Sequence, residues 1–212
     1  MKKCILFDLD GTLTDSGAGI IHCGQLVLEH YGLPIPEKKD MRWMVGPPLR
    51  VSFPRLQIPE EKTEEAIEIY RYHYERTGIF ENEPYPGIAD LLQKLQDDGH
   101  RLFVATSKPE YMALEVLNRF DLTKYFEKVC GCQRDGVRDK KADVIAYLMQ
   151  YVQPGEEVVM VGDTVFDVQG ANEHKIPTVV VSWGYGVEQD MLDAGAVAVT
   201  HTMEELYQFL NK

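Results

Sequence analysis

Positive charge is in short supply in this chain of 212 residues: 22 Lys plus Arg stand against 34 Asp plus Glu, a net charge of −12. That deficit argues against a general nucleic-acid or anionic-membrane surface. An anionic ligand would have to be met by a few placed cations or by a metal. Cysteine is sparse as well. Cys4, Cys23, Cys130 and Cys132 follow no regular spacing, and Cys130-Gly131-Cys132 is too tight for a usual zinc knuckle, so buried free thiols are expected. No apolar run approaches a membrane span, and the apolar stretch at 4–7 is too short for the core of a signal peptide. Internal repeats and low-complexity segments are missing too. The expectation is a reduced, cytoplasmic protein, monomer or homodimer, that meets neither membrane nor nucleic-acid polymer. What is plentiful is apolar material, 44% of the chain, enough for one domain or one domain carrying an insertion.

From Gly87 onward, short β-branched runs alternate with amphipathic stretches. RLFVAT (101–106), EKVCG (127–131), EVVMVGD (157–163) and TVVVSW (178–183) read as buried strands, and KKCILFDL (2–9) supplies another. GIADLLQKLQDDG (87–99), YMALEVLNRF (111–120), KADVIAYLMQYV (141–152) and the segment after Asp163 have helical spacing. The alternation predicts an α/β fold, a Rossmann-like parallel sheet with helices on both faces. Residues 16–84 break the pattern. Two helical stretches, stopped by Gly32 and Gly78, enclose a proline-divided segment without a convincing strand. Ile67, Tyr70 and Tyr74 form an aromatic stripe that reads as helix-packing core. An all-helical insertion after the first strand is therefore expected, giving 1–15 and 85–212 as one domain and 16–84 as another.

The run LFDLDGTLTD raises a chemical question, because Asp8 and Asp10 end an apolar strand one residue apart. Like charges that close repel unless a cation or a proton lies between them. In open α/β sheets, ligands bind at the carboxyl ends of the strands. There the chain delivers Asp8, Asp10, Gly11 and Thr12; Thr106, Ser107 and Lys108; Asp163, with Asp167 one helical turn beyond; and Lys140 and Lys141 at a helix start. Each piece alone also reads as a solvated turn or a helix cap. Together their types fit one chemistry. Carboxylates hold Mg²⁺, a hard cation that combines few protein oxygens with phosphate. A hydroxyl and an ammonium hold phosphoryl oxygens, and an ionised carboxylate attacks phosphorus without a general base.

DLDGTLTDS, VATSKP, DKKADVI and VGDTVFD resemble, in order, the four motifs of the haloacid dehalogenase superfamily, and the likeness spans essentially the whole chain. The resemblance implies that Asp8 is the nucleophile and that Asp10 is the acid and then the base. It implies phosphate binding by Thr106, Ser107 and Lys141, with Lys140 as the alternative lysine. Mg²⁺ would sit on Asp8, the main-chain carbonyl of Asp10 and Asp163, with Asp167 and Thr12 behind them. Residues 16–84 become a helical cap over the catalytic core. Keeping Asp10 points to phosphate esters, since the dehalogenases of this fold lack it. VGPPLRVSF (45–53), ATSKP and SWGYG (182–186) resemble a branch called both phosphoglycolate phosphatase-like and 5'-nucleotidase, in which Arg50 would face the cleft from the cap. Trp183 and Tyr185 also read simply as packing of a loop after a strand.

The expected activity is Mg²⁺-dependent hydrolysis of a small phosphorylated metabolite through an aspartyl phosphate. A sugar phosphomutase of the same fold shares every catalytic residue and stays open as the alternative. A signalling receiver domain, which also joins aspartate, Mg²⁺, hydroxyl and lysine on a parallel sheet, is too short and lacks an insertion after its first strand. A non-catalytic scaffold would be expected to have lost motif positions, and none is lost.

Overall fold

The computed structural model describes residues 2–133 and 137–212; Met1 and residues 134–136, all in the range read as catalytic core, lie outside them. β1 (Lys3–Phe7) is buried along its whole length, as a strand covered on both faces must be. Its side chains alternate between the two faces. Ile5 and Phe7 join one apolar cluster, Cys4 and Leu6 the other.

The chain then runs through β2 (Thr14–Asp15), α1 (Gly17–His30), α2 (Leu49–Arg55), α3 (Thr63–Arg76) and β3 (Glu83–Pro84). The α/β alternation follows with α4 (Ile88–Asp97), β4 (Arg101–Pro109), α5 (Glu110–Arg119), β5 (Lys128–Cys132), α6 (Lys141–Leu148), β6 (Glu157–Gly162) and α7 (Val165–Asn172). It ends with β7 (Thr178–Val181), α8 (Glu188–Asp193), β8 (Ala198–Thr200) and α9 (Met203–Leu210). Six strands form one parallel sheet in the order β5-β4-β1-β6-β7-β8. Residues of α4, α5 and α9 pack on the Ile5/Phe7 face, and those of α6 and α7 on the Cys4/Leu6 face. The chain builds outward from β1 through β4 to β5, then crosses to the other side of β1 for β6. The carboxyl ends of β1, β4 and β6 thus lie side by side at the reversal of strand order, where such sheets form ligand crevices.

Three features differ from the sequence reading. A two-residue strand, β3, does occur inside 16–84; it pairs antiparallel with β2, Asp15 opposite Glu83. The chain's exit from the sheet and its return to it therefore run side by side. Gly32 has the expected left-handed φ of 64° after α1, but Gly78 stops no helix in that way. A Cβ on Gly78 would fall 2.6 Å from Cys23 Sγ, and one on Gly19 would fall 2.0 Å from the Gly78 carbonyl oxygen. Close approach of α1 to the turn after α3 explains this glycine. Finally, β8, with α8 before it and α9 after it, lies beyond the strands and helices that the pattern separated; a three-residue strand carries too little periodicity to stand out.

The aromatic stripe is core: Ile67, Tyr70 and Tyr74 are buried with Phe53 and Met44, and Tyr70 and Tyr74 stack at 5.6 Å. All four cysteines are buried free thiols. Among the described residues, no helix is long and apolar enough to cross a membrane.

Candidate active site

The floor of the site is a cluster of buried charge at the ends of β1 and β6. Lys141, the first residue of α6, reaches under the sheet edge: its Nζ lies 2.7 Å from Asp8 Oδ1 and 2.8 Å from Asp167 Oδ1, and donates to the Ala105 carbonyl at 2.8 Å. Burial alone would lower the affinity of Lys141 for its proton, but Asp167 and Asp8 outweigh it and hold the ammonium charged. Burial pushes the Asp8 carboxyl up to about 7; Lys141 pulls it back, while Asp167 and Asp10 add to the rise. Lys140 stands exposed at the N-cap position of α6, without a side-chain capping hydrogen bond.

Asp163 follows β6 and is held from two directions. Thr12 Oγ1 donates to Oδ1 at 3.0 Å and the Tyr185 backbone N–H donates to Oδ2 at 2.8 Å. Burial first, then the charges of Asp167 and Asp8, push its carboxyl well above the usual range. Asp167 seals the start of α7, accepting from Thr164 N and Thr164 Oγ1, both at 3.0 Å. Gly11 makes this crowding possible: its φ is 85°, and a Cβ there would lie 2.2 Å from Asp163 Oδ2.

The ligand-atom positions of Asp8, Asp163 and Asp167 fall within 4.8 Å of one another. Asp8 and Asp167 share the Lys141 ammonium, which also donates to the Ala105 carbonyl, while Asp163 is held by the neutral donors Thr12 Oγ1 and Tyr185 N–H. A set made wholly of carboxylate oxygens suits a hard cation such as Mg²⁺. The donor set fits the metal that the motifs imply. The Asp10 carboxylate does not belong to this cluster. It turns toward Lys108, 3.1 Å from Nζ to Oδ2, and its Oδ1 is buried without a hydrogen-bond partner among the described residues.

The roof comes from residues 16–84. Asp8, Asp10, Thr106 and Ser107 line a cavity of 70 Å³ that is closed from above by Met44, Tyr70 and Tyr74. That is room for roughly five waters, which favours a small reacting group over a bulky one. Thr106 Oγ1 accepts the Lys108 backbone N–H at 3.2 Å. Lys108 is the residue that sequence reasoning placed at the strand end but gave no part. It is buried, salt-bridged to Asp10, and 2.8 Å from the Tyr74 hydroxyl across the cleft. Period-two alternation along β4 was the available signal, since it sets Lys108 on the side of Thr106. Nothing local in α3 marked Tyr74 as its partner.

Arg50 does not line the Asp8 cavity. It borders an adjoining 50 Å³ compartment with Ser107, Tyr70 and Asp139. Its guanidinium is held by Glu64 at 2.7 and 2.8 Å and by Asp139, beyond β5, at 2.9 Å. Arg50 thus bridges the two parts of the molecule at the rim of the cleft.

This arrangement can be set beside known proteins. The family model for haloacid dehalogenase-like hydrolases matches residues 5–181. Tyrosine-protein kinase PtkA of Mycobacterium tuberculosis is 42% identical over 212 residues, covering 98% of this chain and 72% of that protein. The 5'-nucleotidase of Pseudomonas aeruginosa is 35% identical over 88% of this chain and 86% of its own. The crystal structure of a predicted phosphatase from Clostridium acetobutylicum superposes with a TM-score of 0.95 at 36% identity, covering 100% of this chain and 99% of that one. Sequence, strand order and the grouping of Asp8, Lys141, Asp163 and Asp167 agree: the chain belongs to the haloacid dehalogenase-like hydrolase family.

Proposed function

We propose that this chain, a phosphoric monoester hydrolase of the haloacid dehalogenase-like family, cleaves small phosphomonoesters through an aspartyl phosphate on Asp8, with Mg²⁺ as its metal. The observation that carries the reading is Asp8 paired with Lys141 on the cavity floor, with Asp10 beside it on a separate cation. An Asp8 oxygen attacks phosphorus and the bond from phosphorus to the ester oxygen breaks, while Asp10 delivers its proton to that oxygen. Asp10, now a carboxylate, takes a proton from water; the water oxygen attacks phosphorus and the bond to Asp8 breaks. On this reading Thr106, Ser107 and Lys141 hold phosphoryl oxygens, a part supported by Thr106 and Ser107 lining the cavity, with Lys141 also offsetting the charge of Asp8. Asp8, Asp163 and the Asp10 main-chain carbonyl would hold Mg²⁺, with Asp167 and Thr12 fixing the carboxylates; when bound, it would neutralise charge on the transferring group.

The small cavity supports a small ester, and likeness to the 5'-nucleotidase makes 5'-mononucleotides and phosphoglycolate the first substrates to test. On this reading Arg50 would meet a second polar or anionic group of such a substrate in the adjoining compartment, in exchange for part of its pairing with Glu64 and Asp139. The comparisons do not favour the mutase alternative. A second reading has one observation behind it, the 42% identity to a protein named a tyrosine kinase. In that reading the phosphoryl group leaves Asp8 for a tyrosine hydroxyl and not for water. Label passing from ATP to a tyrosine peptide, and lost in Asp8→Asn, would select it.

The deciding experiment uses Asp10→Asn. p-Nitrophenolate leaves without a proton but hydrolysis of the phosphoenzyme still needs the base. The variant should therefore release up to one nitrophenolate per enzyme in a burst and then stall. Mass spectrometry should find the phosphoryl group on Asp8. A variant that gives no burst, or that turns over alkyl phosphates normally, removes Asp10 from the acid/base role.

A further inference from the structure

The SWGYG segment, residues 182–186, has packing of a loop as its plain reading, yet its contacts go further. Tyr185 does three things at once. Its backbone N–H donates to Asp163 Oδ2 at 2.8 Å. Its hydroxyl donates to Asp15 Oδ1 and accepts the Gly17 backbone N–H at 3.0 Å. Its ring lies under the Arg42 guanidinium, 4.9 Å from the centroid. Asp15 and Gly17 flank the point where the chain leaves the sheet for α1. Two positions earlier, Trp183 donates from Nε1 to the Thr12 carbonyl at 3.2 Å and meets the Tyr85 ring edge-on at 6.3 Å. Tyr85 follows β3, on the returning strand. One loop therefore touches both chain crossings and, through its backbone, a buried carboxylate of the floor.

The fit is close enough to exclude slack. A Cβ on Gly17 would lie 2.1 Å from the Tyr185 hydroxyl oxygen, and one on Gly184 would lie 2.3 Å from Asp163 Oδ2. Gly186 N–H donates to the Asp163 carbonyl at 3.1 Å, so the loop holds the backbone of Asp163 as well as its side chain. A shift of the β2–α1 junction has to move the Tyr185 hydroxyl, and the backbone N–H of the same residue moves with it.

We infer that Tyr185 is a positioning residue that couples the hinge of residues 16–84 to the Asp163 carboxylate, so that seating of the cap and affinity for the divalent cation are linked. The inference rests on the metal reading given above. Because linkage between binding equilibria is reciprocal, Mg²⁺ should tighten the hinge to the same degree that a seated hinge tightens Mg²⁺.

The test follows binding and not turnover. Mg²⁺ is titrated into metal-free protein by calorimetry, and hydrogen exchange is followed at residues 14–17 and 83–85 with and without the metal. Wild type should bind Mg²⁺ and show slower exchange at both crossings. Tyr185→Phe keeps the ring and the backbone donor but loses the hydroxyl; it should bind Mg²⁺ at least fivefold more weakly, and its metal-induced slowing should vanish. Asp15→Ala removes the acceptor at the other end of the same contact and should show the same loss, which serves equally if Tyr185→Phe folds poorly. The double variant should be no weaker than the worse single one. Binding by Tyr185→Phe within twofold of wild type, with the slowing intact, would overturn the coupling alone. Additive losses in the double variant would overturn it as well, and a wild type that binds no Mg²⁺ would overturn the metal reading and the coupling together.

Discussion

The floor and the roof of this site are held by different kinds of contact. The floor is the cluster of Asp8, Lys141, Asp163 and Asp167. All four side chains are anchored to one sheet and the helices that follow it, and all are almost completely buried. Around the cleft, two of the contacts by which the roof meets the core are Tyr74 on Lys108 and Arg50 on Asp139. The first is a single buried hydrogen bond; the second is an ion pair at the rim between half-exposed partners. Buried charge that is cut off from water is costly to leave unpaired, so the floor has essentially one arrangement. A rim pair in solvent contributes little and can be remade elsewhere. The buried charge thus lies in the part whose arrangement is most tightly fixed by burial, and the rim contacts lie where solvent weakens them.

The largest effect should follow from breaking the floor. Asp8→Asn is close to isosteric, keeps an oxygen near Lys141 and cannot form the aspartyl phosphate. Turnover should fall by ~10³-fold or more, on the order of 4 kcal/mol of lost barrier stabilisation, with the thermal unfolding midpoint little changed. Steady-state rates and calorimetry check both; a variant that keeps a tenth of the activity would displace Asp8 from the nucleophile's part.

Where floor meets roof, the effect should be smaller and of another kind. Lys108 holds Asp10, and Tyr74 holds Lys108. Lys108→Met keeps most of the buried stem but leaves Asp10 without its cation. Without that cation the neutral form of Asp10 is favoured, so its part as base in the second step should suffer. We expect a loss of roughly tenfold in kcat, about 1.4 kcal/mol, on a nucleoside monophosphate and on p-nitrophenyl phosphate alike, because hydrolysis of the phosphoenzyme needs the base whichever ester was used, while the nitrophenolate burst should persist. Tyr74→Phe should show the same pattern in weaker form. A lost burst would mean that Lys108 serves the phosphoryl group and not Asp10.

The same division explains what could be read from the chain. Asp8, Lys141 and Asp163 each follow a strand or begin a helix, so alternation and the strand-end rule are enough to bring them to one edge; Thr106 reads as a strand end too, although β4 runs on to Pro109. Asp167 followed because one helical turn separates it from Asp163. The partnership of Lys108 with Tyr74 spans 34 residues and two elements, and it depends on how α3 sits over β4, which no local pattern encodes. Arg50 was read as facing the cleft, yet its engagement by Glu64 and Asp139 became visible only with both parts in place. The β2–β3 ribbon is two residues wide on each side, too short for periodicity to register. Gly78 does stand just past the end of α3 at Arg76, but for close packing and not for a left-handed turn, two causes that leave the same mark in a sequence.

Two thiols allow the mobility of floor and roof to be compared without touching the chemistry. Cys4 lies in β1 at the centre of the sheet and Cys23 in α1 of the helical segment, and both are 0% exposed. Burial is the main cause that pushes each thiol up to about 12; the remaining influences are nearby charges for Cys4 and, for Cys23, the Gly78 backbone with smaller charge effects. Native protein should therefore present almost no thiolate at either position, and alkylation has to wait for an opening that restores an ordinary thiol near 9. Because the two closed states are matched, the ratio of labelling rates reports the openings themselves. Local opening of α1 costs less than unfolding the central strand. Cys23 should accordingly react with iodoacetamide at least ~10-fold faster than Cys4, whose rate should track global unfolding in urea. Raising the pH from about 7 to about 9 should speed both reactions through the thiolate fraction of the opened form, with their ratio preserved. Above 9 the sign of the linkage changes the picture: the opened thiol ionises before the buried one, so stability that was constant at lower pH declines as the pH climbs toward 12. Peptide mapping after timed labelling measures both sites in one sample. Equal rates at Cys4 and Cys23 would mean that roof and floor open as one unit, and the contrast between them would fail.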